Sequence, residues 1–216
     1  MTVSTRVFES QLGLIRQGGY HVIPLRELVD SILGGGALPS KTVVITADDG
    51  HESIYTEMVP RMKRYGFPAA LFIYPSAISN AKWAMTWPQL IELERSGLFD
   101  IESHTYWHPN FKTEKRRLTD AAYRDFVAWQ LEHSKQILEQ KLMKRVDLLA
   151  WPFGIYDDGL MEAARQAGYR AAFSLDRRPA TASDRPMAFP RYLMTDAQQG
   201  SVFERLLAHA TGEEGR

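Results

Sequence analysis

Val43-Val44-Ile45-Thr46-Ala47-Asp48-Asp49-Gly50 is an apolar run that ends abruptly in two adjacent carboxylates and a glycine. Its Val and Ile residues do not alternate with polar ones, which suits a parallel strand buried on both faces. In proteins built on parallel sheets, ligands bind beyond the carboxyl ends of the strands, where Asp48 and Asp49 stand. Working outward, apolar runs at His21–Leu25, Thr42–Thr46, Ala69–Tyr74, Phe99–Ser103, Asp147–Trp151, Arg170–Leu175 and Ala188–Met194 read as strands. Amphipathic stretches at Thr5–Gln17, Leu25–Leu33, Ser53–Tyr65, Trp87–Ser96, Thr119–Leu142, Asp157–Ala167 and Gln198–His209 read as helices. Repeated strand–helix alternation predicts an α/β fold with a parallel sheet, for which an open doubly wound sheet and a distorted barrel both fit. Leu33–Pro39 reads as a helix-to-strand connection and the basic cluster Lys112–Arg117 as a solvated helix entrance.

The 216 residues carry 26 basic and 26 acidic side chains and no cysteine. That length supports one substantial core or two small ones. A content of 44% hydrophobic and 24% charged residues excludes intrinsic disorder. Zero formal charge gives no basic face for nucleic acid. Without cysteine there is no thiol nucleophile, so any metal must be held by His, Asp or Glu. Met1–Gln11 lacks the apolar core of a signal peptide, and no stretch approaches the roughly 18 apolar residues of a membrane span.

Three segments carry chemistry. Asp48 and Asp49 would repel one another unless a cation offsets their charge, and a divalent ion allows both to ionise. Alternatively, they form an Asp-Gly turn that caps the following helix. His104-Thr105-Tyr106-Trp107-His108 follows the strand at Phe99–Ser103, and on a helical turn its spacing puts both rings on one side. Two histidines and a carboxylate suit Zn²⁺, Fe²⁺, Co²⁺ or Ni²⁺ with positions left open for water. Ala150-Trp151-Pro152-Phe153-Gly154 is a strand followed by a Pro/Gly turn, which can present a backbone N–H to a developing oxyanion.

In this order the three motifs resemble the polysaccharide deacetylases, the NodB-homology domain of carbohydrate esterase family four. The family's T-F-D-D-G is Thr46-Ala47-Asp48-Asp49-Gly50 here, its H-[ST]-x-x-H is His104–His108, and its R-x-P-[YF] is Ala150-Trp151-Pro152-Phe153. Gly19–Leu25, Tyr65–Ala69 and Met85-Thr86-Trp87 look like the branch acting on poly-N-acetylglucosamine. The resemblance covers roughly Phe8 to Met194. It implies a distorted (β/α) barrel of about seven parallel strands, as one domain over 1–216 that is short of an N-terminal strand of the family. It implies one divalent metal, zinc foremost, held by Asp49, His104 and His108. Asp48 would be the general base for water activated by that metal, and the Phe153 backbone N–H would stabilise the oxyanion. The implied reaction removes N-acetyl groups from an N-acetylglucosamine polysaccharide or oligosaccharide in an extracytoplasmic or cell-envelope setting. Relatives acting on peptidoglycan, chitin fragments or small amides, and an inactive metal-holding glycan-binding module, are the alternatives.

The chain departs from the family pattern at four places. Ala47 replaces Phe, and Ala150 replaces the Arg that pairs with the catalytic Asp. No D-x-x-D-W stands near Ser174–Arg177, and no late histidine stands in Phe189–Leu193. Arg191 is the candidate to orient Asp48 instead. Tyr106, Trp107 and Trp151 are candidate sugar contacts, whereas Trp83, Trp87 and Trp129 read as core or helix-packing residues. His51 lies beside the acidic pair, and His209 reads as a surface residue.

Overall fold

The computed structural model describes residues 3–212. Helix α1 (Thr5–Gln17), capped by Ser4, leads to strand β1 (His21–Val22), helix α2 (Leu25–Gly34) and strand β2 (Thr42–Val43). β1 and β2 pair in parallel as a separate two-stranded sheet. The main sheet has five parallel strands in sequential order. They are β3 (Thr46–Asp48), β4 (Ala69–Ile73), β5 (Phe99–Ser103), β6 (Leu148–Ala150) and β7 (Ala171–Phe173). Between them run α3 (Val59–Tyr65), α4 (Trp87–Arg95), α5 (Phe111–Arg117), α6 (Asp120–Leu142) and α7 (Asp158–Gln166), and α8 (Ser201–Ala210) follows. The sheet curls into a half-barrel, so the curved sheet holds fewer strands than the seven expected.

Period-two geometry sorts the core. Leu71, Ile73, Phe99, Ile101, Leu149 and Ala172 pack outward against the helices. Ala70, Phe72, Leu148, Ala150, Ala171 and Phe173 face inward, where Leu25 and Val29 of α2 and Phe189 cover them. Asp48 is in register with Phe72 and therefore belongs to the inward face. Asp100 and Glu102 also lie on that face, opposite Ala70 and Phe72. There Arg26 of α2 ion-pairs with Asp100 (3.0 Å), Asp147 (2.7 Å) and Glu102. One end of the half-barrel is thus an ion-pair layer, the middle is apolar, and the carboxyl ends of the strands are left for the site.

Three expected elements differ. Thr42–Thr46 breaks into two strands, because the chain leaves β1 after Val43 and pairs with β4 from Thr46. Ser53–Tyr65 opens as a π-helical turn over Ile54–Met58 before α3. Pro60 is the physical reason, since it has no N–H to donate and its ring crowds the carbonyl four residues back. Ala188–Met194 forms no strand. A 3₁₀ turn covers Pro186–Ala188, and Phe189 alone bridges Phe173, because the next acceptor, Ser174 O, takes the Arg191 side chain through Nε (3.2 Å) where a backbone ladder bond would continue. The basic cluster is itself a short helix, α5, capped by Asn110.

Candidate metal and catalytic centre

Asp48 closes β3, and Asp49 follows with a positive φ of 74°. That left-handed residue turns the two carboxylates apart. Gly50 continues at φ 77°, where a Cβ would strain the backbone and crowd Ile78 Cδ1 at 3.0 Å and Ile73 Cδ1 at 3.1 Å, which favours glycine. Asp48 is gripped at both oxygens by the Arg191 guanidinium, Nη1 to Oδ1 and Nη2 to Oδ2, each at 2.9 Å. Arg191 is itself held by donation to Thr46 Oγ1 (3.1 Å) and Ser174 O (3.2 Å), and its guanidinium lies 5.1 Å from the Phe72 ring centre. Burial alone would push the Asp48 carboxyl up. The Arg191 charge, with His104 and the Arg191 hydrogen bonds, outweighs it and holds the carboxyl below its ordinary value.

The two histidines are not on a helical turn as their spacing suggested. Thr105 and His108 take positive φ values of 65° and 62°, which a right-handed helix excludes, and the segment is a loop. Side chains stitch it together. Thr105 N donates to Ser103 Oγ (3.2 Å) and His108 N to Thr105 Oγ1 (3.3 Å). Tyr106 N and Trp107 N both donate to the buried Gln130 Oε1 of α6, at 3.2 Å each. This loop still brings the rings together, 4.7 Å apart and edge to face. His104 Nε2 and His108 Nε2 each lie 3.6 Å from Asp49 Oδ1. Burial, with the neighbouring His104, holds the His108 ring below its ordinary value and so favours its neutral form.

This donor set fits a divalent metal. One ligand atom from each of Asp49, His104 and His108 falls within a 4.8 Å span. His104 Nδ1 lies 2.7 Å from Ala150 O, which can only accept. In the neutral ring the proton is therefore on Nδ1, and the Nε2 lone pair faces Asp49. Both Asp48 oxygens are already taken by Arg191, which leaves Asp49 as the carboxylate for an ion. Two histidines, a carboxylate and no sulfur suit zinc and several other divalent ions.

The third motif supplies the far wall. Phe153 sits at φ 58°, and the turn bonds run from Gly154 N to Trp151 O and from Ile155 N to Pro152 O, leaving the Phe153 N–H out. The residue is 56% exposed, and its ring meets His108 edge-on at 4.5 Å. Ala150, where the family carries Arg, contributes its carbonyl to His104, while Arg191 brings a guanidinium to Asp48 from a segment after β7.

The aromatic residues sort differently from their sequence reading. Trp151 is fully buried and donates Nε1 to Met187 O at 2.8 Å, so it packs the core and touches no sugar. Tyr106 packs on Trp129 and His133, while Trp107 is exposed against Phe126. Trp83 and Trp129, read as core or helix-packing residues, are 39% and 45% exposed, and Trp129 packs from α6 on Tyr106 and His133. Trp87 is half-buried, with Lys141 Nζ 5.7 Å from its ring centre. His51 stacks on Trp83 and bonds Ser53 through Nδ1, and His209 lies exposed on α8. Gln130 escaped the sequence reading altogether, because nothing marks a helix glutamine more than 20 residues downstream as an anchor of the histidine loop.

The sequence model for polysaccharide deacetylases matches residues 35–172. The chain is 27% identical over 216 residues to a poly-beta-1,6-N-acetyl-D-glucosamine N-deacetylase of Staphylococcus aureus strain MRSA252, covering 98% of this chain and 72% of that one. It is 25% identical to the enzyme of the same description from Escherichia coli K12, covering 91% of this chain and 34% of that one. In structure it resembles the Streptococcus pyogenes deacetylase PplD, solved in complex with acetate. The TM-score is 0.85 at 19% identity, with 95% and 87% of the two chains covered, which is a likeness of fold.

Proposed function

The chain belongs to the polysaccharide deacetylase family, and from that premise we propose that it hydrolyses N-acetyl groups on a polymer or oligomer of N-acetylglucosamine. The observation that carries this reading is the bidentate hold of Arg191 on Asp48 beside the cluster of Asp49, His104 and His108. We assign Asp49, His104 and His108 to one divalent ion, zinc foremost. Such an ion, when bound, polarises an amide carbonyl and makes water easier to deprotonate.

The protein's own residues do the rest. Asp48, kept ionised by Arg191, takes a proton from the attacking water. Water oxygen joins the acetyl carbon, the C–N bond breaks, and the sugar amine leaves after gaining a proton. Among the described residues of Phe189–Leu193 no histidine stands to give it. Asp48 is therefore the group to return the proton it took, and the Arg191 charge that makes it a weak base makes protonated Asp48 a strong acid. The N–H of Phe153, which the turn bonds leave out, donates to the carbonyl oxygen as charge develops there. Exposed Trp107 and half-buried Tyr106 remain candidates for contact with the glycan. We take 1–216 as one deacetylase domain, working on polymer outside the cytoplasm. No helix among the described residues is long and apolar enough to cross a membrane.

Elemental analysis combined with acetate release from N-acetylglucosamine oligomers tests the reading, wild type against Asp48→Asn. The expected result is bound metal in both proteins and acetate only from the wild type. Metal and oligomer binding without acetate release from the wild type would make the chain a glycan-binding module instead.

A further inference from the structure

Beyond the reacting centre, five aromatic rings run in unbroken contact across the site. Phe153 meets His108 at 4.5 Å, His108 meets Tyr74 at 5.5 Å, Tyr74 meets Trp83 at 6.0 Å, and Trp83 stacks on His51 at 5.8 Å and 14°. One member is a candidate metal ligand, so the run leads directly from the place of reaction to Trp83. The Trp83 loop is tied to the segment after Asp49. Glu52 N donates to Trp83 O (2.7 Å) and Met85 N to Gly50 O (2.9 Å), and His51 bridges Ala84. Ala77, Ile78, Ala84 and Met85 are buried and anchor this loop without help from Trp83. A large apolar ring held on a rigid loop yet 39% exposed is preorganised for a flat apolar ligand face, which reduces the ordering cost of binding. His51 adds polarity. Its Nδ1 accepts from Ser53 N (3.1 Å), so the neutral ring carries its proton on Nε2 as a donor.

We propose that Trp83, backed by His51 and Tyr74, is a glycan-binding subsite that stacks the pyranose ring next to the unit being deacetylated. The proposal rests on the deacetylase reading, and its test separates the two. A β-linked N-acetylglucosamine pentamer is titrated calorimetrically into metal-loaded Asp48→Asn protein with and without Trp83→Ala. Trp83→Ala weakens binding about five- to tenfold, and Trp83→Phe, which keeps a ring and guards against misfolding, weakens it less. In the active chain, the ratio of kcat/KM on the pentamer to kcat/KM on a small acetyl ester falls by the same factor. Unchanged pentamer binding, or equal losses on ester and pentamer, overturns the subsite. Trp83-dependent binding in a wild type that frees no acetate keeps the subsite and sinks the deacetylase reading. Acetate release with an unchanged ratio does the reverse.

Discussion

Replacing Arg191 with Met tests how the base is set. The substitution roughly keeps the volume but removes both donors to Asp48, each 2.9 Å away, together with the bonds to Thr46 and Ser174. Hydrogen bonds to charged groups are worth about 1.5–3 kcal/mol each. Not all of that reaches the rate, because the carboxyl escapes part of the penalty by taking up a proton. With Arg191 gone, burial pushes the Asp48 carboxyl up with only the histidines to oppose it. A base must be ionised to act, so a raised carboxyl moves the acid limb of the pH–rate profile to higher pH. Taking about 3 kcal/mol as the net loss, kcat/KM at neutral pH falls roughly 100-fold. Arg191→Lys restores one point charge but not the two-oxygen grip, and falls between. The assay is acetate release across pH 4–9, with bound metal measured on the same samples and a melting curve for each variant. Metal stays bound, because the Arg191 guanidinium bonds Asp48, Thr46 and Ser174 and not Asp49, His104 or His108. A loss under threefold, an unmoved acid limb, or loss of metal in step with activity would refute the reasoning.

Other outcomes follow from the same geometry. Asp49→Ala, His104→Ala and His108→Ala each strip metal in elemental analysis, and a chelator abolishes acetate release until a divalent ion is restored; full metal content in any of the three fails the assignment. Gln130→Leu leaves the Tyr106 and Trp107 N–H groups without their acceptor, at about 2–3 kcal/mol of stability and with weaker metal binding, whereas Gln130→Glu keeps the acceptor; chemical denaturation and metal titration check both. Arg26→Met leaves Glu102 and Asp147 buried with one partner fewer, costing about 3–5 kcal/mol and lowering Tm by roughly 6–20 °C. Burial pushes the Glu102 carboxyl from 4.5 up to about 8 against the pull of Lys144 and Arg26. Between those values the folded chain holds a proton that the unfolded chain releases, so stability falls as pH rises through that window, and Glu102→Gln flattens the slope in melting curves.

The sequence alone was enough for the parallel α/β architecture and for the three acidic and imidazole side chains that converge on one point. The reason is local. The central strands are largely apolar, with Asp100 and Glu102 as paired exceptions, and polar groups directly after a strand stand at the sheet's carboxyl end. Residue type and spacing therefore carry the fold class and bring two carboxylates and two histidines to one sheet end, while the family resemblance singles out Asp49 over Asp48 for the cluster with His104 and His108. Even there the means differed. Two left-handed residues, not a helical turn, bring the histidines together, because ring proximity depends on where a loop is tied and Gln130 ties it from another helix. Trp83, read as a core or helix-packing residue, is partly exposed, and Trp151, a candidate sugar contact, is buried, since hydrophobicity sets a preference for burial but packing neighbours decide it. Arg191 lies 143 residues from Asp48, and the motif position that would have announced an arginine holds Ala150. The sequence offers Arg191 only as a candidate, and the folded chain decides that pairing. Charge complementarity requires a guanidinium at the carboxylate but not a particular route for the backbone that delivers it.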